Sequence, residues 1–84
     1  MDTLITKKDT TQYATSMEVS CGKKTAFVSF NKCGWVTVCC YNAAHRVWRG
    51  AGKTFRSIEE AFDGYKSGEM KAILWAAKAE MARE

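Results

Sequence analysis

The feature that most constrains this chain is an apolar alternation of period two that begins at Tyr13 and keeps its phase through two turns to Tyr41. Tyr13, Thr15, Met17, Val19 and Cys21 fall on one side of the first run, and Ala14, Ser16, Glu18 and Ser20 on the other. That is the pattern of a half-buried strand. Gly22-Lys23 suits a two-residue hairpin turn with glycine first. In the next run Ala26, Val28 and Phe30 face inward and Thr25, Phe27 and Ser29 outward. Pairing Cys21 with Lys24 sets Val19 opposite Ala26 and Met17 opposite Val28, so the apolar sets coincide. Register follows, because a slip of one residue would send every side chain to the wrong face. Lys32-Cys33-Gly34 is a three-residue turn whose last position takes left-handed backbone. It sets Asn31 opposite Trp35, Phe30 opposite Val36 and Val28 opposite Val38. Val36, Val38 and Cys40 then join the inner face, and Trp35, Thr37, Cys39 and Tyr41 the outer one.

Residues 42–45 read as a further turn and Arg46-Val47-Trp48-Arg49 as a return strand, with Val47 inward and Arg46 and Trp48 outward. Gly50 and Gly52 bend or bulge it, and Lys53-Thr54-Phe55 resumes it. Ser57-Ile58-Glu59-Glu60 is a capping box that opens a helix. Ile58, Ala61, Phe62 and Tyr65 recur at the spacing of a core-facing stripe, and Gly68 is expected to stop it. A second helix starts at Glu69 with the stripe Met70, Ile73, Leu74, Ala77 and Met81. Trp75 lies beside that stripe, where it would cover the sheet edge or support a homodimer through the C-terminal helix. The expected fold is α+β, an antiparallel meander of three to four strands packed on one face by one or two C-terminal helices. The expected division is an N-terminal arm over residues 1–12 and a single domain over 13–84. The polar, Thr-rich arm would be frayed or form a short edge strand around Leu4-Ile5.

Composition narrows the function classes. At 84 residues the chain is one domain, with ten aromatics to help fill a small core. No apolar stretch of ~18 residues is free of charge, so no membrane span is expected. Residues 1–8 lack an apolar signal segment, and four cysteines without a C-x-x-C fit reduced thiols in a cytoplasmic setting. Adjacent Cys39 and Cys40 point to opposite faces of a strand, and His45 is the only histidine, so no metal or cofactor is expected. Gly50-Ala51-Gly52-Lys53-Thr54 resembles the end of a phosphate-binding loop. That pattern needs glycine at 47, where Val47 stands, and a helix opening directly after Lys-Thr. No Ser/His/Asp or Cys/His arrangement is legible, so no catalytic residue is assigned and the chain reads as a non-enzyme.

The charge is segregated. Between Val19 and Ile58 stand Lys23, Lys24, Lys32, Arg46, Arg49, Lys53 and Arg56 with no acid among them. The rest of the chain is mildly acidic, and the net charge is +4. A basic module of this kind favours phosphate backbones or acidic protein surfaces. The outer sheet face carries Phe27, Trp35, Tyr41 and Trp48, read as interleaved with Lys24 and Arg46. Aromatics beside cations can stack on bases while the cations hold phosphate. The candidate contacts are Lys23, Lys24, Lys32, Arg46, Arg49 and Lys53 for phosphate, with Trp35, Tyr41 and Trp48 as the aromatic surface. Two other readings stay open. The arm could cover these rings, or the rings could pair across strands and only stiffen the sheet.

Gly34-Trp35-Val36-Thr37-Val38, Arg46-Val47-Trp48-Arg49-Gly50 and Thr54-Phe55-Arg56-Ser57-Ile58-Glu59-Glu60-Ala61-Phe62-Asp63-Gly64-Tyr65 together resemble the ethylene-response-factor DNA-binding domain over residues 34–65. Relatives of that domain occur in phage endonucleases and integrases. The resemblance implies a three-stranded sheet laid in the major groove of double-stranded DNA, with Trp35, Arg46 and Trp48 as contacts. The chain departs from the pattern at Arg49, where the family is apolar, at residues 51–53, which are inserted, and in its second helix. Thr37 and Cys39 stand where the family carries its base-reading Arg and Glu, so readout from those two positions is not implied. In size and general character the chain also resembles small phage-encoded accessory proteins, anti-CRISPR inhibitors among them. That implies docking on a host nucleoprotein complex as the alternative to nucleic acid.

Overall fold

The structure is a computed structural model, and it describes residues 2–42, 47–48 and 52–83. Its elements follow in the order β1 (Thr3–Thr10), β2 (Ala14–Cys21), β3 (Lys24–Asn31), β4 (Val36–Asn42), β5 (Val47–Trp48), β6 (Lys53–Phe55), α1 (Ile58–Gly64) and α2 (Gly68–Ala82). The strands form one antiparallel meander in the order β1-β2-β3-β4-β5, with β6 also pairing β4. The fold is therefore α+β as expected, with more strands than the three or four read from the sequence.

Register in the centre of the sheet follows the apolar pattern. Cys21 pairs Lys24, Val19 pairs Ala26 and Met17 pairs Val28. Val28 pairs Val38 and Phe30 pairs Val36. Gly22 and Gly34 hold positive φ of 61° and 102° at the two turns, as those turns require. The inner residues of β2 and β3 meet α2 and β4 meets α1, and Met17, Val19, Val28, Val38, Ile73 and Leu74 are fully buried between sheet and helices.

One expectation is extended and two are corrected. The N-terminal segment, expected to be frayed or to form a short edge strand around Leu4-Ile5, is an edge strand over Thr3–Thr10 paired along β2. Its register shifts between Ile5 and Lys7, a bulge that turns Lys8 toward the helix side, where its Nζ lies 3.2 Å from Glu80 Oε1 on α2. Tyr13 does not begin β2. The Thr11 hydroxyl accepts from the backbone N–H of Tyr13 and Ala14 at 3.1 and 3.2 Å, building a turn that leaves Tyr13 70% exposed. Gly68 does not stop the first helix. α1 ends at Gly64 because Tyr65 turns extended and packs on Phe55, with ring centroids 5.9 Å apart. Gly68 instead opens α2 behind the N-cap Ser67.

Ser57 caps α1 as expected, its hydroxyl accepting from Glu60 N–H at 3.0 Å, while the Glu60 carboxylate reaches back to the Arg56 N–H in place of that of Ser57. Ser57→Ala is expected to lower stability by about 1 kcal/mol, read as a drop in urea midpoint at unchanged slope. At the other end of α1 the Lys71 ammonium donates to the Phe62 carbonyl at 2.7 Å, satisfying an acceptor the short helix leaves open.

Candidate functional site

Both helices lie on one face of the sheet, so among the described residues the other face carries no helix. Its residues alternate along each strand with the buried ones: Ser16, Glu18 and Ser20 on β2, Thr25, Phe27 and Ser29 on β3, Thr37, Cys39 and Tyr41 on β4, and Thr54 on β6. Hydroxyls pair across the strands, Ser16 with Ser29 at 3.0 Å, Ser20 with Thr25 at 3.0 Å and Thr37 with Thr54 at 3.3 Å. Such pairs suit a polar sheet face open to water on one side. Phe27, 37% exposed, interrupts them beside a shallow depression of about 310 Å³ that Lys7, Glu18 and Cys39 complete. β1 lies beside β2 at the edge of the sheet and extends it.

The aromatic candidates share this region. Trp35 immediately precedes β4, its carbonyl accepting from Asn31 N–H at 2.8 Å, and it is 47% exposed. Tyr41 is half-buried at the opposite end of the same strand, and the backbone of Trp48 pairs with it. Arg46 and Arg49 lie outside the described residues, as do His45 and the expected turn at 43–45.

The cations are dispersed rather than interleaved with the rings. Lys24, expected among the outward-facing rings, stands opposite Cys21 on the helix side, and its ammonium donates to Ser67 Oγ at 2.9 Å. The alternation itself requires this, since Lys24 has the parity of Ala26 and Val28. Lys53 likewise stands opposite Val38, with its ammonium 5.8 Å from the Tyr65 ring centroid. Burial pushes the Tyr65 hydroxyl up to about 12, with Cys40 adding to the shift, so that ring stays neutral beneath the cation. Lys53-Thr54 therefore belongs to a strand, not to a phosphate-binding loop ahead of a helix.

Lys23 and Lys32 sit at the two hairpin turns, at opposite ends of the sheet. The Lys32 N–H donates to the Tyr13 carbonyl at 2.9 Å and so joins the first and third turns. Arg56 follows Phe55, the partner of Val36, so its backbone leaves β6 at the end of the sheet where Trp35 leads into β4. Lys23, Lys32 and Arg56 are exposed, and among the described residues none of their side chains is paired with an acid. The sequence reading missed Tyr13 and Arg56 as members of this end. Tyr13 had the parity of a core residue, and Arg56 reaches this end only through the pairing of β6 with β4.

Trp75, expected over the sheet edge, instead lies in the seam between α1 and α2. It packs on Phe62 with ring centroids 6.3 Å apart, under the Lys78 ammonium at 5.6 Å, and remains 62% exposed. Lys78 also holds Glu59 at 3.1 Å, and with a backbone hydrogen bond as the larger cause this keeps the Glu59 carboxyl below its ordinary range.

Compared with known proteins, the chain matches no family model, no curated protein and no solved structure.

Proposed function

We propose that this chain is a small non-enzymatic binding protein that engages nucleic acid through its helix-free sheet face and the basic ends of that face. One observation carries the reading. Trp35 is half-exposed on the side the helices leave open, at an end of the sheet where Lys32 and Arg56 have no acidic partner among the described residues. Aromatic rings bordered by free cations supply stacking and phosphate neutralisation together. The resemblance over residues 34–65 favours double-stranded DNA and adds Arg46 and Trp48 to the contacts.

The test is fluorescence anisotropy of labelled random-sequence DNA, single- and double-stranded, at several salt concentrations. Affinity is expected to fall with salt at a slope of several log units, since each neutralised phosphate contributes about 0.9 for a duplex. Lys32→Ala and Arg46→Ala are each expected to lower that slope by about 1. No binding of either form at low salt sinks the proposal.

A second reading has its own support. The middle of the open face is neutral, with Phe27 exposed beside a shallow depression and Lys7 opposite Glu18. That surface suits docking on a protein or nucleoprotein, as an inhibitor of a host defence complex would dock. It predicts a stoichiometric complex with weak salt dependence and loss of affinity on Phe27→Ala.

A further inference from the structure

We infer that the corner built by Tyr13, Lys32, Trp35 and Arg56 receives an unpaired base of a single-stranded nucleic acid, with Trp35 as the stacking platform and Lys32 and Arg56 on the flanking phosphates. This rests on the nucleic-acid reading above and specifies its substrate. The corner is built by the fold. Asn31 N–H donates to the Trp35 carbonyl at 2.8 Å and Lys32 N–H to the Tyr13 carbonyl at 2.9 Å, so the turn that carries Lys32 is tied to both aromatic residues. Pairing of Phe55 with Val36 brings Arg56 to the same end. Trp35 and Tyr13 are 47% and 70% exposed there.

Charge placement favours a single strand at this corner, in place of the duplex that the resemblance over residues 34–65 implies. A duplex laid along the open face would set a row of phosphates over its length, and neutralising them needs cations along that length. The described middle of the face offers hydroxyls already bonded to one another, together with Glu18 and, on β1, Lys7 opposite Glu18 and Asp9 opposite Ser16, so it carries no row of unopposed cations. Of the exposed cations without an acidic partner, Lys32 and Arg56 share the end that carries Trp35, and Lys23 stands at the other end. An indole can stack on a base only where a face of that base is free, and inside a duplex both faces are covered by neighbours. A short single strand crossing the corner meets both conditions. The acid at this corner is Glu60, whose Oε1 accepts from the Arg56 backbone N–H at 3.5 Å and leaves the guanidinium uncommitted.

The experiment titrates the intact chain into a labelled single-stranded oligonucleotide and into the blunt duplex of the same length, at one salt concentration. It uses the natural chain, Trp35→Ala and Trp35→Phe, each checked for fold by circular dichroism. The single strand is expected to bind more tightly than the duplex. Trp35→Ala should weaken single-strand binding about tenfold, with duplex affinity held within about twofold, and Trp35→Phe should restore most of the loss. Tighter binding to the duplex overturns the inference, as does a Trp35→Ala effect that is absent or equal for both probes. In those outcomes the nucleic-acid reading stands and only the unpaired-base site falls. Binding to neither probe removes both.

Discussion

Ile73→Ala is expected to lower the unfolding free energy by about 2–5 kcal/mol, the range for deleting a large buried aliphatic side chain without full collapse of the cavity. Ile73 is fully buried on the face of α2 that meets β2 and β3, among Met17, Val19 and Val28. Val19 and Val28 are short and stiff, so of these three neighbours only the flexible Met17 could partly fill the space. The consequence is large because the domain is small. At roughly 0.05–0.15 kcal/mol per residue, an 84-residue chain has about 4–12 kcal/mol to lose. Urea unfolding followed by circular dichroism should give a lower midpoint at the same slope. By contrast, Trp75→Ala, on the exposed side of the same helix, should cost clearly less. Equal losses would mean that α2 is not seated on the sheet as described.

The same inner face explains what could be read ahead of the structure. Coincidence of Val19 with Ala26, Met17 with Val28 and Val28 with Val38 is a strong constraint, because each slip would bury Ser16, Glu18 or Thr37. The two turn glycines and the Ser57 cap are local signals and needed no tertiary information. β1 was harder to see because its inner positions after the bulge are Lys8 and Thr10, which are polar, and the bulge breaks the period. An edge strand that carries Lys7, Lys8 and Asp9 also protects the sheet from adding further strands. Lys24 reads as a nucleic-acid contact by composition alone, and its parity already placed it with the core-facing residues. The corner around Trp35 was out of reach for a different reason. Tyr13, Lys32 and Arg56 come from three connections distant in sequence, and only the joined turns and the β4–β6 pairing bring them to one end.

Gly52→Ala is expected to destabilise the chain by about 2–4 kcal/mol, more than a non-glycine residue in left-handed backbone costs on its own, which is about 1–3 kcal/mol. Gly52 has φ +82°, and a Cβ placed there would come within 2.5 Å of the Val38 carbonyl oxygen and 3.1 Å of Cys39 Cα. Those are backbone atoms of β4, held by β3 on the other side, so they cannot step aside as a flexible side chain would. The close approach follows from register. Lys53 pairs Val38, so Gly52, directly before it, lies against the Val38–Cys39 link of β4. Gly34→Ala is the control. It has φ +102° and no atom within 4 Å of an added Cβ, so it should show the backbone cost alone. A Gly52→Ala loss larger than the Gly34→Ala loss, with faster amide exchange along β6, locates the contact. Equal losses would mean that β6 does not lie against β4 as described, and Arg56 would then lose its place at the Trp35 end of the sheet.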